Sequence, residues 1–318
     1  MAQRILEPGQ IETLSRGSIP RLRLPDRATL FTHRAARFRS LAAGSPLADY
    51  LRFLAMLAEA QQNALDALGT AIPPVPSTRT RDERMPPIHA PSWPRPPEWR
   101  TTLELVCAPL AAASALPAEV RDAIRAVRVA EPAWIEARAQ ALLESGKDIE
   151  PRTAPFVMAA LQVHWVALAG SFPIDAIEPP DLPGLCPLCG TLPVASLVRA
   201  HAPHQGYRYL HCALCASEWH LVRVQCSHCG ASGPDIAYHS LDRGSGGGAE
   251  AARAAVRAET CEKCRAYRKI LYQEHDPQVE PVADDVASIA LDLLLGERGY
   301  HRASPNPMLW LTSPNPPV

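Results

Sequence analysis

Leu47, Leu51, Leu54, Ala58, Leu65 and Leu68 fall three, four or seven residues apart, which places them on one stripe of a helix. Ser45 and Pro46 just ahead of them supply an N-cap and a first-turn proline, and Gly69 is the matching stop. An earlier helix starts from Asp26, carries Leu30, Phe31, Phe38 and Leu41, and stops at Gly44. The short Gly44-Ser45-Pro46 link predicts that the two lie antiparallel. Further helical patterns run over Leu103–Leu110, Ala118–Val129, Ala133–Leu143 and Ala154–Ala169. Beyond them the period changes. Tyr207–His211, Trp219–Val224, Ile236–Leu241 and Lys269–Gln273 are short and rich in β-branched or aromatic residues, as small antiparallel strands are. Helical spacing returns over Asp284–Arg298, with Val286, Ile289, Leu293 and Leu294 on one face.

Two stretches fit neither period. Residues 70–100 hold Pro73, Pro74, Pro76, Pro86, Pro87, Pro91, Pro94, Pro96 and Pro97, with Trp93 and Trp99 among them. That composition favours extended, polyproline-like chain. Two readings stay open: a free linker, or a segment held along the helices by its tryptophans. From Ser304 onward the tail SPNPMLWLTSPNPPV is expected to be an extended arm.

Composition narrows the class. A chain of 318 residues predicts two or more units. With a formal net charge of −1, nothing in the overall balance attracts nucleic acid or an anionic membrane. The opening MAQRILEPGQIE has no apolar run, so no secretory signal is expected. The longest apolar stretch, Phe156–Leu168, is interrupted by Gln162 and His164 and is too short to cross a bilayer. A cytoplasmic protein is the expectation. In that compartment paired cysteines more often mean metal or redox chemistry than disulfides.

All the cysteines but Cys107 lie between Cys186 and Cys264, as four Cys-x-x-Cys pairs: Cys186/Cys189, Cys212/Cys215, Cys226/Cys229 and Cys261/Cys264. Each such turn presents two thiolates on one side, and two turns complete a tetrahedral site for zinc or iron. A disulfide framework does not require this uniform spacing. A thioredoxin-type pair needs a single motif at a helix N-terminus, and these sit among strands and turns. Eight ligands mean two sites. The ten residues ASEWHLVRVQ between Cys215 and Cys226 hold no Gly, Pro or Asn to reverse the chain, and extended they span roughly 33 Å. That is too far for one site. Gly190 follows Cys189 and Gly230 follows Cys229, whereas Ala216 and Arg265 follow the other pairs. The motif Cys-x-x-Cys-Gly then Cys-x-x-Cys therefore occurs twice. This predicts one site of Cys186, Cys189, Cys212 and Cys215 and another of Cys226, Cys229, Cys261 and Cys264, with Glu218-Trp219-His220 on the connection between them. Four thiolates fill each ion, leaving no position for a substrate, and modules this small depend on the metal for their folding energy.

The remaining candidates are weaker. Cys107, in an apolar helix, is expected to be a small buried hydrophobe. His201, His204, His211, His220 and His228 crowd the cysteines, but with eight sulfurs already in two sets they are expected beside the sites or on the surface. His164 is expected on a helix face. No Walker loop, dinucleotide-binding glycine pattern or nucleophile elbow appears.

The stretches LFTHRAARFRSLAAGSPLADYLRFLAMLAEAQ (Leu30–Gln61), LCPLCG, YLHCALCASEWHLVRVQCSHCG and ADDVASIALDLLLGERGY (Ala283–Tyr300) together resemble the formate dehydrogenase accessory protein FdhE family. The resemblance implies an α+β multidomain fold: a helical N-terminal domain over residues 1–180, two tandem rubredoxin-like or zinc-ribbon-type metal modules over 181–225 and 226–282, and a C-terminal helix with extended tail over 283–318. The domain break falls at EPPDLPG (Glu178–Gly184), where three prolines and a glycine cannot continue a helix. It further implies a non-catalytic maturation protein that binds the catalytic subunit of a respiratory molybdenum or tungsten formate dehydrogenase before twin-arginine export. The two metal ions in its four-cysteine sites would be iron, with zinc the other metal these ligands accept. Two rivals stand beside it. One is a rubredoxin-like electron carrier or reductase. The other is a zinc ribbon for nucleic acid, which the balance of ten Lys/Arg against ten Asp/Glu over Asp181–Glu280 disfavours.

Overall fold

Gly44 and Gly69 both take positive φ, at 71° and 55°, and each ends a helix as the sequence predicts. The helices they end, α1 (Leu30–Ala42) and α2 (Ala48–Ala67), form a helical hairpin. Asp26 secures the approach to α1 by accepting from the Ala28 amide and the Thr29 hydroxyl, and Ser45 Oγ accepts from Leu47 at the start of α2. The computed structural model describes residues 20–69, 85–97, 99–144, 149–174, 177, 184–201, 205–241 and 254–309. Pro73, Pro74, Pro76, His204, the Gly-rich stretch at 243–248 and the end of the tail lie outside the described residues.

Helices α3 (Trp99–Ala111), α4 (Ala118–Arg128), α5 (Pro132–Glu144) and α6 (Ala154–Ala169) complete the helical half. Every residue of α6 is buried. A helix apolar on all sides belongs at the centre, and α6 packs against α2 and α3 on the helical side and against the first metal module on the other. Its polar residues find partners or stay neutral. Gln162 receives a hydrogen bond from Gln61 (2.9 Å) and donates to the Ala213 carbonyl (2.8 Å). Burial, and then Arg95, push the His164 imidazole down to about 4, so it remains uncharged in the core.

The described part of the proline-rich segment is packed. Ile88, Ala90, Trp93 and Trp99 are buried, and Trp165 Nε1 on α6 donates to the Ile88 carbonyl at 3.1 Å. Of the two readings left open for this segment, residues 85–97 follow the second.

The strands form one eight-stranded sheet rather than two small ones. They are β1 (Leu22–Arg23), β2 (Pro193–Val198), β3 (Arg208–Cys212), β4 (Glu218–His220), β5 (Ile236–His239), β6 (Val256–Cys261), β7 (Ala266–Tyr272) and β8 (His301–Arg302). The order is β1-β4-β3-β2-β7-β6-β5, with β8 also on β7. Within each module the pairs are antiparallel, as expected. The join is not: β2 and β7 run parallel, with Ser196 opposite Ile270 and Val198 opposite Tyr272. The two modules are thus repeats laid side by side, the first strand of one against the last of the other.

Three expectations need correction. The strand predicted over Trp219–Val224 ends at His220, and the chain turns at Arg223–Val224 without glycine or proline. Arg208 makes that turn possible: Nη1 of its buried guanidinium collects the carbonyls of Val222, Arg223 and Gln225 at 3.4, 3.2 and 3.0 Å. The single helix predicted over Asp284–Arg298 is two, α7 (Pro281–Ala287) and α8 (Ile289–Glu297), parted at Ser288. Buried Lys269 takes the Asp285 carbonyl at 2.6 Å, diverting it from the helical ladder, and shares the Ser288 carbonyl (3.2 Å) with the Leu291 amide. The third concerns the tail. Residues 304–309 are anchored, since Asn306 donates to Asp285 (2.7 Å) and Tyr50 of α2 donates to the Met308 carbonyl (2.5 Å).

Ion pairs buried between the halves fix their relation. Arg34 on α1 meets Glu280 at 2.9 Å, and Arg37 meets Asp284 at 2.6 Å and Asp276 at 2.7 Å. No described helix is long and apolar enough to cross a membrane.

Candidate metal centres

The eight sulfurs gather into two groups of four: Cys186, Cys189, Cys212 and Cys215, and Cys226, Cys229, Cys261 and Cys264. Within the first, Cys186 Sγ lies 3.6 Å from Cys215 Sγ and Cys189 Sγ lies 3.4 Å from Cys212 Sγ. In the second, Cys226 to Cys264 is 3.8 Å and Cys229 to Cys261 is 3.7 Å. Sulfurs about 2.3 Å from one tetrahedral ion stand about 3.8 Å from each other. A disulfide requires about 2.05 Å. The spacing is that of a tetrathiolate metal site, and either group can hold one ion.

The turns are built alike. Cys186 N–H donates to the Thr191 carbonyl and Gly190 N–H to the Cys186 carbonyl, and Cys226, Ala231 and Gly230 repeat that pattern. Amides of Leu214 and Cys215 point at Cys212 Sγ, and the His228 amide at Cys226 Sγ, all at 3.4 Å. Such N–H groups favour the thiolate. The residue after each pair takes positive φ: Gly190 and Gly230 at 76°, but also Ala216 at 56° and Arg265 at 57°. Glycine usage therefore marks the phase of the repeat without marking a difference in backbone. Gly190 answers a second demand, because a Cβ there would come within 2.9 Å of His89 Cδ2.

The surroundings of the two groups differ. All four cysteines of the first are buried; in the second Cys229 is exposed and Cys264 half-buried. The helical half clasps the first group. Ile88 N–H donates to the Leu188 carbonyl and Ala90 N–H to the Cys189 carbonyl, at 3.0 and 2.9 Å. The hydroxyls of Thr191 and Ser217 stand 3.3 Å from Cys189 Sγ and Cys215 Sγ; the same places in the second module hold Ala231 and Ala266. Burial, and the hydrogen bonds its own S–H makes to the other sulfurs, push the Cys186 thiol well up. Against the same burial, hydrogen bonds from Cys186, Cys212, Cys215 and Thr191 draw Cys189 well down. Thiol modification of the native chain by N-ethylmaleimide should follow this contrast: mass spectrometry should find Cys229 and Cys264 labelled first and the first group last. Equal rates across all eight would contradict the placement.

Sequence reasoning missed the polar groups that join the modules. Arg208, wholly buried, pairs with Glu259 of the second module at 2.9 Å and bonds Ser196 Oγ at 2.9 Å. Burial, then repulsion from Arg208 and Arg302, draws the buried Arg268 guanidinium down to about 9. Glu218 faces the other way, to Arg199, Arg23 and His211, and Trp219 pairs with Leu22 of β1. Glu218-Trp219-His220 thus ties the first module to the N-terminal strand, and Arg208 ties module to module. Among the other candidates, Cys107 is buried, and burial raises its thiol to about 12. His211 is buried against Glu218, and His201 is exposed. No histidine joins either sulfur group among the described residues.

Two four-cysteine groups in tandem zinc-ribbon-like modules, merged in one sheet and carried by a helical domain, define a protein with two sites that could each hold a metal ion. Family models described as the FdhE N-terminal, central and C-terminal domains match residues 19–181, 185–223 and 224–309. The chain belongs to the FdhE family. It is 38% identical to the FdhE homolog of Cronobacter sakazakii, covering 98% of each chain. It is 40% identical to that of Pseudomonas aeruginosa, covering 97% of this chain and 98% of the other. The crystal structure of the Pseudomonas aeruginosa FdhE protein superposes with a TM-score of 0.82 at 40% identity, over 92% of this chain and all of that one.

Proposed function

We propose that this chain is an accessory protein for respiratory formate dehydrogenase, binding the catalytic subunit in the cytoplasm and supporting formation of active enzyme without catalysing a reaction itself. Membership of the FdhE family carries the reading. In it, Cys186, Cys189, Cys212 and Cys215 ligate one metal ion and Cys226, Cys229, Cys261 and Cys264 a second, with iron favoured by the family resemblance and zinc equally compatible with four thiolates. When bound, the ions supply folding energy and, as iron, a one-electron couple. Four sulfurs at each site fill a tetrahedral ion and leave no open position for substrate, which supports a binding role over metal catalysis.

The test is capture of the client. Tagged protein isolated from a reducing, anaerobic lysate is expected to bring down the formate dehydrogenase catalytic subunit, and deletion of its gene to abolish formate oxidation. An untouched activity, or no capture under gentle conditions, would overturn the reading.

A further inference from the structure

Arg268 on β7 is a buried cation that building a ribbon does not require. It stands four residues past the last cysteine of the second module; at the same place in the first stands Trp219, and that module forms without a cation there. The guanidinium is a junction. Nε donates to Ser227 Oγ at 2.7 Å, inside the Cys226-x-x-Cys229 turn. Nη1 donates to Ser304 Oγ at 2.6 Å and to the Pro193 carbonyl at the start of β2. Nη2 is buried with no hydrogen-bond partner. Arg268 lines a small cavity whose other walls include Cys226, Cys261 and Glu259.

The charges around that cavity do not balance on their own. Arg268 is buried in its wall, and Glu259, the one carboxylate there, is already paired with the buried Arg208. An uncompensated buried cation is costly. Four thiolates around a divalent ion leave two negative charges over, and around a trivalent ion one. We propose that Arg268 is the counter-charge of the second metal centre, a positioning residue that neutralises the tetrathiolate anion at Cys226, Cys229, Cys261 and Cys264 and, with iron bound, favours the ferrous state. The inference rests on the reading of that cluster as a metal centre. Among the described residues the first centre has no such partner: hydroxyls and amides face its sulfurs.

Charge and packing make different predictions for the full-length chain loaded with iron or cobalt. In a mediated redox titration, Arg268→Gln should lower the midpoint potential of one of the two irons and leave the other in place. Arg268→Lys, which keeps the charge, should restore it, and Glu259→Gln should shift the same iron upward. In competition titrations with cobalt, Arg268→Gln should weaken one of two sites about ten- to a hundredfold, with Arg268→Lys retaining most of the affinity. Potentials that stay put, equal loss at both sites, or a lysine variant as impaired as glutamine would overturn the assignment. A wild-type chain with no metal at the second cluster would instead remove the underlying reading, and the inference with it.

Discussion

Replacement of both Cys186 and Cys189 by serine is expected to release one metal, leave the Cys226 group loaded, and loosen the first module from the helical half. The first centre sits where the halves meet. Ala90 bonds the Cys189 carbonyl, Ile88 the Leu188 carbonyl, and Gln162 of α6 the Ala213 carbonyl between Cys212 and Cys215. A structural tetrathiolate contributes on the order of 10 kcal/mol that is otherwise folding free energy. A whole domain is stabilised by only about 5–15 kcal/mol, so the remaining contacts cannot hold the first module in place. The matching change at Cys226 and Cys229 removes an ion from a more exposed group that takes no part in that clasp, and should leave the helices docked. Limited proteolysis and near-UV circular dichroism separate the two outcomes. Equal damage from both double variants would contradict the assignment of the clasp to the first centre.

Arg208→Met should destabilise the metal-loaded chain by about 3–5 kcal/mol, the usual cost of removing one member of a buried ion pair. The side chain is fully buried, and its loss strands Glu259 without its 2.9 Å partner and takes a shared donor from the carbonyls of Val222, Arg223 and Gln225, of which Arg223 keeps only the Tyr238 hydroxyl at 3.3 Å. The turn that carries the chain from one module to the other is then left to the Tyr238 hydroxyl and the Gln225–Ser232 bridge. Adding Glu259→Gln should recover part of the loss, because the stranded charge goes with it. Denaturant unfolding of the single and double variants measures this. A cost under about 1 kcal/mol for Arg208→Met would place the pair among those that contribute little.

The cysteine grouping was legible in the sequence because it rests on local spacing: each Cys-x-x-Cys turn is self-contained, and the order of the four pairs leaves few ways to join them. The helices were legible for the same reason, from Gly44, Ser45 and Gly69 and the stripe on Leu51 and Leu54. What local pattern could not show was the work of partners distant in the chain. The stretch from Ala216 to Gln225 has no turn residue, yet it turns, because Arg208 reaches it from β3. Lys269 likewise splits the C-terminal helix from β7, and Arg34 and Arg37 meet Glu280 and Asp284 at separations of 246 and 247 positions. The repeat was visible, but the parallel β2–β7 join was not. Antiparallel strands of a ribbon are linked by short turns, whereas these two are parted by the rest of the first module and the first strands of the second.

Two separate tetrathiolate centres on one chain are the central claim, and metal content with X-ray absorption of the isolated protein tests it most directly. The expected result is two ions per chain, each with four sulfurs at about 2.3 Å, falling to one ion in the Cys186/Cys189 double variant. One ion in the wild-type chain, or nitrogen and oxygen in the coordination shell, would contradict it.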